Sequence, residues 1–172
     1  MITPPEKPLS YIQPMDMIHD VLAEMYPFIQ IPDYTWSTNS DGVTSMEYWP
    51  EDRFGPLDMS LIEQKCEEKY PLELKRILKH RVNLRATDRL RNIKYDNHVF
   101  DLSSGTNELI SGGPEEFQDY EVKDLDHCKT FVMSLLIEYA IVTKAGQKHK
   151  TDIDKIDNID DIIEYDVDGG WS

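Results

Sequence analysis

Apolar positions along this chain recur at helical spacing in several stretches and alternate in two short ones. From Met15 to Tyr26, Met15, Ile18, Val21, Leu22 and Met25 share one face, which predicts a short amphipathic helix ended by Pro27. Asp58 is placed to cap a helix running through Tyr70, with Leu61, Ile62, Cys66 and Glu67 near one face. Pro71 suits the first position of a new helix, and Leu72, Leu74, Ile77, Leu78 and Leu84 carry that helix to about Leu90. The cleanest stripe is Leu125, Cys128, Phe131, Val132, Leu135, Leu136, Tyr139 and Val142, interrupted at Gly146. Beyond it Ile153, Ile156, Ile159 and Ile163 keep a roughly helical spacing among aspartates.

The alternating stretches flank turn residues. Tyr34-Thr-Trp-Ser-Thr and Thr44-Ser-Met-Glu-Tyr-Trp surround Asn39-Ser-Asp-Gly, which reads as a hairpin. The segment Glu51 to Pro56 reads as a loop. Ile93-Lys-Tyr and His98-Val-Phe surround Asp96-Asn97, two residues that tolerate the positive φ of a tight turn. This turn is expected to pin Tyr95, Val99 and Phe100 to a common core. Asp101 or Ser103 then caps a short helix through Leu109 and Ile110, ended by Gly112, Gly113 and Pro114. Pro4, Pro5, Pro8 and Pro14 make residues 1–14 an extended arm rather than a packed element. The last residues, DVDGGWS, read as a free tail with an exposed Trp171. The fold class is therefore α+β, mostly helical, with two short β-hairpins, an extended N-terminal arm and an acidic C-terminal tail. Four segments follow: the arm at 1–14, a small α+β module at 15–70, a helix-hairpin-helix domain at 71–150, and an acidic helix and tail at 151–172.

Charge changes this picture by polarising it. The 172 residues carry a formal net charge of −15, which disfavours coating nucleic acid or binding an anionic membrane. Yet Lys69 to Arg91 holds eight cationic residues against Glu73 and Asp88, while residues 151–172 hold eight carboxylates against Lys155 alone. Such asymmetry predicts surfaces that meet each other or a partner. Cys66 and Cys128 lie inside apolar helical patterns without metal-ligand spacing, so reduced thiols are expected rather than a disulfide. No apolar stretch reaches the ~20 residues that span a bilayer, and the proline-rich beginning is unlike a signal peptide.

The chain's titratable residues match few catalytic or metal-binding patterns. The aspartates from Asp152 fail the calcium-loop pattern, because Ile156, Asp157 and Ile163 occupy positions that need a ligand, a glycine and a glutamate. His19, His80, His98, His127 and His149 are scattered. His98 beside Asp96 and Asp101 could act as a base, but a local hydrogen bond near the turn is the better expectation. No nucleophile elbow or phosphate-binding glycine loop is present. No catalytic residue, metal site or cofactor is assigned. The candidates are instead partner-binding residues: Trp36, Tyr48 and Trp49 around the first hairpin, Arg81, Arg85 and Arg89 on the basic helix, and Trp171. The three hairpin aromatics read equally as the core of a small unit.

The order of a basic helix (Leu78-Lys-His-Arg-Val-Asn-Leu-Arg), then Asp96-Asn-His-Val-Phe-Asp, then Ser103-Ser-Gly-Thr-Asn-Glu-Leu-Ile-Ser-Gly resembles a bacteriophage domain found in tail and tail-fibre assembly proteins. Leu125 to Lys144 resembles that family's long C-terminal helix, and the likeness covers about residues 71–150. Asn97 stands where the family has a turn glycine, the stretch 112–122 lacks its tryptophans, and residues after 150 have no counterpart. The resemblance implies a non-enzymatic tail component or tail-fibre assembly factor. Its partner would be a fibre or baseplate protein, with self-association as a further expectation and neither nucleic acid nor membrane as a target. It also implies a place in the host cytoplasm during assembly, or in the virion tail. The acidic segment 152–168 supports a different reading, an inhibitor that mimics DNA on a host enzyme.

Overall fold

A computed structural model describes residues 8–30, 33–40, 43–106 and 120–171. The fold is α+β and mostly helical, and its described strands form two separate antiparallel pairs. The chain divides into two compact units, Met1–Leu74 and Lys75–Ser172.

In the first unit two 3-10 turns, Leu9–Tyr11 and Pro14–Met17, lead into helix α1 (Ile18–Met25). Gln13 and Asp16 cap one another's backbone at the start of the second turn. The described part of the arm is docked rather than free: Leu9 is buried, and the Tyr70 hydroxyl donates to the Ile12 carbonyl at 2.8 Å. Strands β1 (Thr35–Thr38) and β2 (Thr44–Tyr48) pair with Trp36 opposite Met46 and a register irregularity at Thr35/Trp36. The expected loop after them contains a helical turn, α2 (Glu51–Phe54). Met17, Ile18, Val21, Leu22, Ile29, Tyr34, Ile62 and Cys66 form this unit's core.

Helix α3 runs unbroken from Met59 to Leu90 with Pro71 inside it, so the expected restart does not occur. An internal proline forfeits a backbone hydrogen bond and costs ~3 kcal/mol or more in isolation. Here the residue that loses its donor, Glu67, is exposed, so water can serve its carbonyl. Burial outweighs the loss, because Ile62, Cys66, Tyr70, Leu74, Leu78 and Val82 are buried at every fourth position across the proline. Asp58 caps the helix as expected, its carboxylate accepting the Leu61 N–H at 3.2 Å.

In the second unit strands β3 (Ile93–Tyr95) and β4 (His98–Phe100) pair Tyr95 with His98 across the two-residue turn. Asp96 and Asn97 have φ of 46° and 66°, the left-handed pair that the turn chemistry calls for. Ile93 and Phe100 are buried while Val99, opposite Lys94, is 48% exposed. Val99 therefore faces away from the core, because successive strand residues alternate sides. Asp101 accepts the Ser103 N–H at 2.8 Å, but residues 103–106 form a turn with Gly105 at φ 105° rather than the start of the expected helix, whose remainder through Leu109 and Ile110 lies outside the described residues.

Helix α4 (Leu125–Asp154) is capped by Asp124, whose side chain accepts from the His127 N–H at 2.8 Å. Gly146 does not interrupt it. Phe131, Leu135, Val142, Ala145, His149 and Ile153 are buried along one side of the helix, and that burial carries it past the glycine. Asn158 caps a last short helix, α5 (Ile159–Ile163), and the chain then folds back so that Trp171 is only 5% exposed. The expected free tail is a packed one.

Candidate interaction surfaces

The C-terminal segment is held by three kinds of contact within the second unit. His149 Nε2 donates to the Gly169 carbonyl at 2.9 Å, and its Nδ1 hydrogen-bonds the Tyr165 hydroxyl at 2.8 Å. Burial, with Asp152 and Asp166 nearby, pushes the Tyr165 hydroxyl pKa up, so it stays protonated at neutral pH. The Trp171 indole donates to the Val167 carbonyl at 2.8 Å, and its ring lies beside Gly146 and His149. Finally the basic helix meets the acidic segment. Lys79 pairs with Asp154, Lys75 donates to the Asp154 carbonyl at 3.1 Å, and Arg85 pairs with Asp168 at 2.7 Å. The Arg89 guanidinium sits 5.3 Å from the Trp171 ring centroid, within cation–π range.

Three of the seven candidates, Arg85, Arg89 and Trp171, are thus brought to one cleft of about 570 Å³, which Glu138 and Asp168 also line. Their charges and ring are engaged by the chain itself. Arg81 lies one turn earlier on α3 and is half-buried. The charge asymmetry read in the sequence is accordingly seen in the fold as contacts between α3 and the C-terminal segment.

The first unit treats its aromatics differently. Trp49 stacks edge-on with Tyr26 and tilts against Phe54, and its indole donates to the Gly55 carbonyl at 2.8 Å. That is a core role. Tyr48 is 56% exposed. Trp36 is half-buried and lines a groove of about 550 Å³ with Met15 and Val43. Asp16, Glu63 and Glu67 border the same groove, all exposed, and Thr38 and Thr44 join their hydroxyls at 2.9 Å beside it. An indole and three carboxylates lining one groove suit a segment that is both apolar and cationic.

One cluster was not legible beforehand. His127 Nδ1 accepts the Lys123 N–H at 3.1 Å, which leaves Nε2 as the donor to the Tyr120 hydroxyl at 3.0 Å. That hydroxyl points on to Asp96 at 3.5 Å. Tyr120 also stacks on Phe131 and meets Tyr95, His98 and Phe100 edge-on. Burial first, and Asp96 second, push the Tyr120 pKa up, so it remains a neutral hydrogen-bonding bridge. The cluster ties the hairpin turn to the start of α4. His98 itself makes the local hydrogen bond expected of it, Nδ1 to the Asp96 carbonyl at 2.9 Å. Tyr120 is separated from the hairpin by some twenty residues of sequence, so only the fold could reveal their meeting.

Among the described residues no helix is long and apolar enough to cross a membrane. Comparison with protein-family models, with curated proteins and with solved structures finds no match to this chain.

Proposed function

We propose that this protein is non-enzymatic and acts by protein–protein contact, as a bacteriophage tail component or tail-fibre assembly factor. The observation that supports a binding role is the groove lined by the half-buried Trp36 and bordered by Asp16, Glu63 and Glu67. The partner it suits is a fibre or baseplate protein that presents an apolar segment flanked by lysine or arginine. The phage setting rests on the residue pattern from Leu78 to Gly112 and on the long helix after it, and places the chain in the host cytoplasm during assembly or in the tail.

The groove supports this reading better than the basic helix does, because Arg85 and Arg89 already have intramolecular partners. The same pairing weighs against a DNA mimic, since Asp154 and Asp168 face cations of their own chain. The test is co-purification. The protein is expected to co-elute with a tail or fibre protein, or to be present in purified virions, and Trp36→Ala should abolish the co-elution. Absence from both, or co-elution indifferent to Trp36→Ala, overturns the proposal.

A further inference from the structure

Helix α4 carries more apolar surface than its core needs. Its inner side buries Phe131, Leu135, Val142 and Ile153, while Met133, Ile137 and Ile141 stand 55%, 52% and 37% exposed on the outside. Met133, Ile137, Ala140 and Lys144 follow one another at intervals of four, three and four, the spacing of a helix–helix seam. None of these residues lines the Trp36 groove, so this surface is independent of the function proposed above.

The charges around the seam say what covers it. Asp126 lies on this face toward the N-terminal end, and Lys144 and Lys148 lie on it toward the C-terminal end. Asp126 and Lys148 are equally far in sequence from Ile137, as are Met133 and Ile141. An antiparallel copy of α4, related by a two-fold axis at Ile137, therefore sets Met133 on Ile141, Ile137 on its own counterpart, and Asp126 on Lys148 at both ends. Thr130 meets Lys144 in the same register. A parallel copy would oppose aspartate to aspartate and lysine to lysine. The local pairs of these groups, Asp126 with Lys129 at 3.3 Å and Lys148 with Asp152 at 3.9 Å, are solvent-exposed and can be exchanged at little cost.

We infer that α4 is a self-association surface, and that its occupant is a second copy of this chain packed antiparallel through Met133, Ile137 and Ile141. The arrangement is isologous, with one patch serving both partners.

Sedimentation velocity on the full chain over a range of concentrations tests it. A monomer–dimer equilibrium is expected, and Ile137→Glu should raise the dissociation constant at least ~10-fold, or ~1.4 kcal/mol. At concentrations low enough that both are monomeric, its far-UV circular dichroism and melting should match the parent, since Ile137 is exposed. Asp126→Lys and Lys148→Glu should each weaken the dimer about 3- to 10-fold, and the double variant should recover to within about 2-fold of the parent. A chain that stays monomeric throughout overturns the inference. So does a dimer indifferent to Ile137→Glu, or a double reversal that restores nothing, which would mean a different surface or a parallel register.

Discussion

Trp36 and Trp171 both sit among small polar residues, one in a strand and one in the C-terminal segment, and the fold covers them to different degrees. Trp171 is taken up by its own unit, under the Arg89 guanidinium and against His149, with its indole N–H bonded to Val167. Trp36 packs against the first unit's core yet stays half-buried, and it lines a groove bordered by carboxylates. The difference lies in how completely the chain covers the ring. Helix α4 and the turn after α5 close over Trp171, whereas the first unit's core covers Trp36 only in part. An aromatic side chain is a binding candidate only where the fold leaves that cover incomplete.

Truncating the two rings should separate these roles most widely. Trp171→Ala is expected to cost about 3 kcal/mol of second-unit stability, within the range for large-to-small changes at buried aromatics. Chemical denaturation would show it, together with faster amide exchange around Val142 to His149. Trp36→Ala should cost less, about 1–2 kcal/mol, because the ring packs on the core but is only half-buried, while removing the partner binding proposed above. Equal destabilisation by both would erase the comparison.

Filling the seat of Trp171 should sharpen it. A Cβ at Gly146 would lie 3.6 Å from the nearest indole carbon and 3.8 Å from the Ala86 Cβ, ordinary contact distances. Gly146→Ala should therefore keep Trp171 in place and stabilise the protein by about 0.5–1 kcal/mol, through helix propensity and a less free unfolded chain. A raised melting temperature with unchanged tryptophan fluorescence would agree. A red-shifted emission would mean the ring had been displaced.

The parts of this fold that were readable are those decided locally. The Asp96-Asn97 turn follows from two residues that accept positive φ, and α1 follows from one apolar face and a proline stop. Pro71 and Gly146 misled because propensity is a weak prior: at both, a buried stripe continues past the residue that would break an isolated helix. Trp171 misled for a related reason. Its partners Arg89 and His149 are far away in sequence, and a stretch such as DVDGGW looks identical whether or not they are near. The pairing of the basic helix with the acidic end was legible in kind, since opposite net charges concentrate there. The particular couples Lys79–Asp154 and Arg85–Asp168 needed the fold.

The smallest expected effects come from one carboxylate in each unit, and they ask whether the two respond alike to acid. Asp33 is held below the ordinary carboxylate range chiefly by the Gln30 backbone N–H, against some desolvation, with Arg53 at 3.0 Å adding to the lowering. At Asp101 desolvation is the largest influence and pushes upward, but the Ser103 hydroxyl and N–H and the nearby Arg91 outweigh it, so its pKa is also lowered. A carboxyl whose folded pKa is depressed stabilises the fold above its unfolded pKa, and that gain disappears as pH falls through the folded value. Asp33→Asn and Asp101→Asn should therefore each destabilise at neutral pH, and each deficit should shrink below the ordinary aspartate pKa of about 3.9. Salt should shrink the Asp33 deficit too, because Arg53 and Asp33 are in contact with solvent. Asp101 draws more on fixed hydrogen bonds from Ser103, so its deficit should be the less sensitive of the two to salt. Denaturation midpoints of the parent and both variants, taken between pH 3 and 7 at low and high salt, read out the comparison. A deficit at Asp101 that salt removes as fully as the one at Asp33 would show that Arg91, and not the Ser103 turn, holds that carboxylate in place.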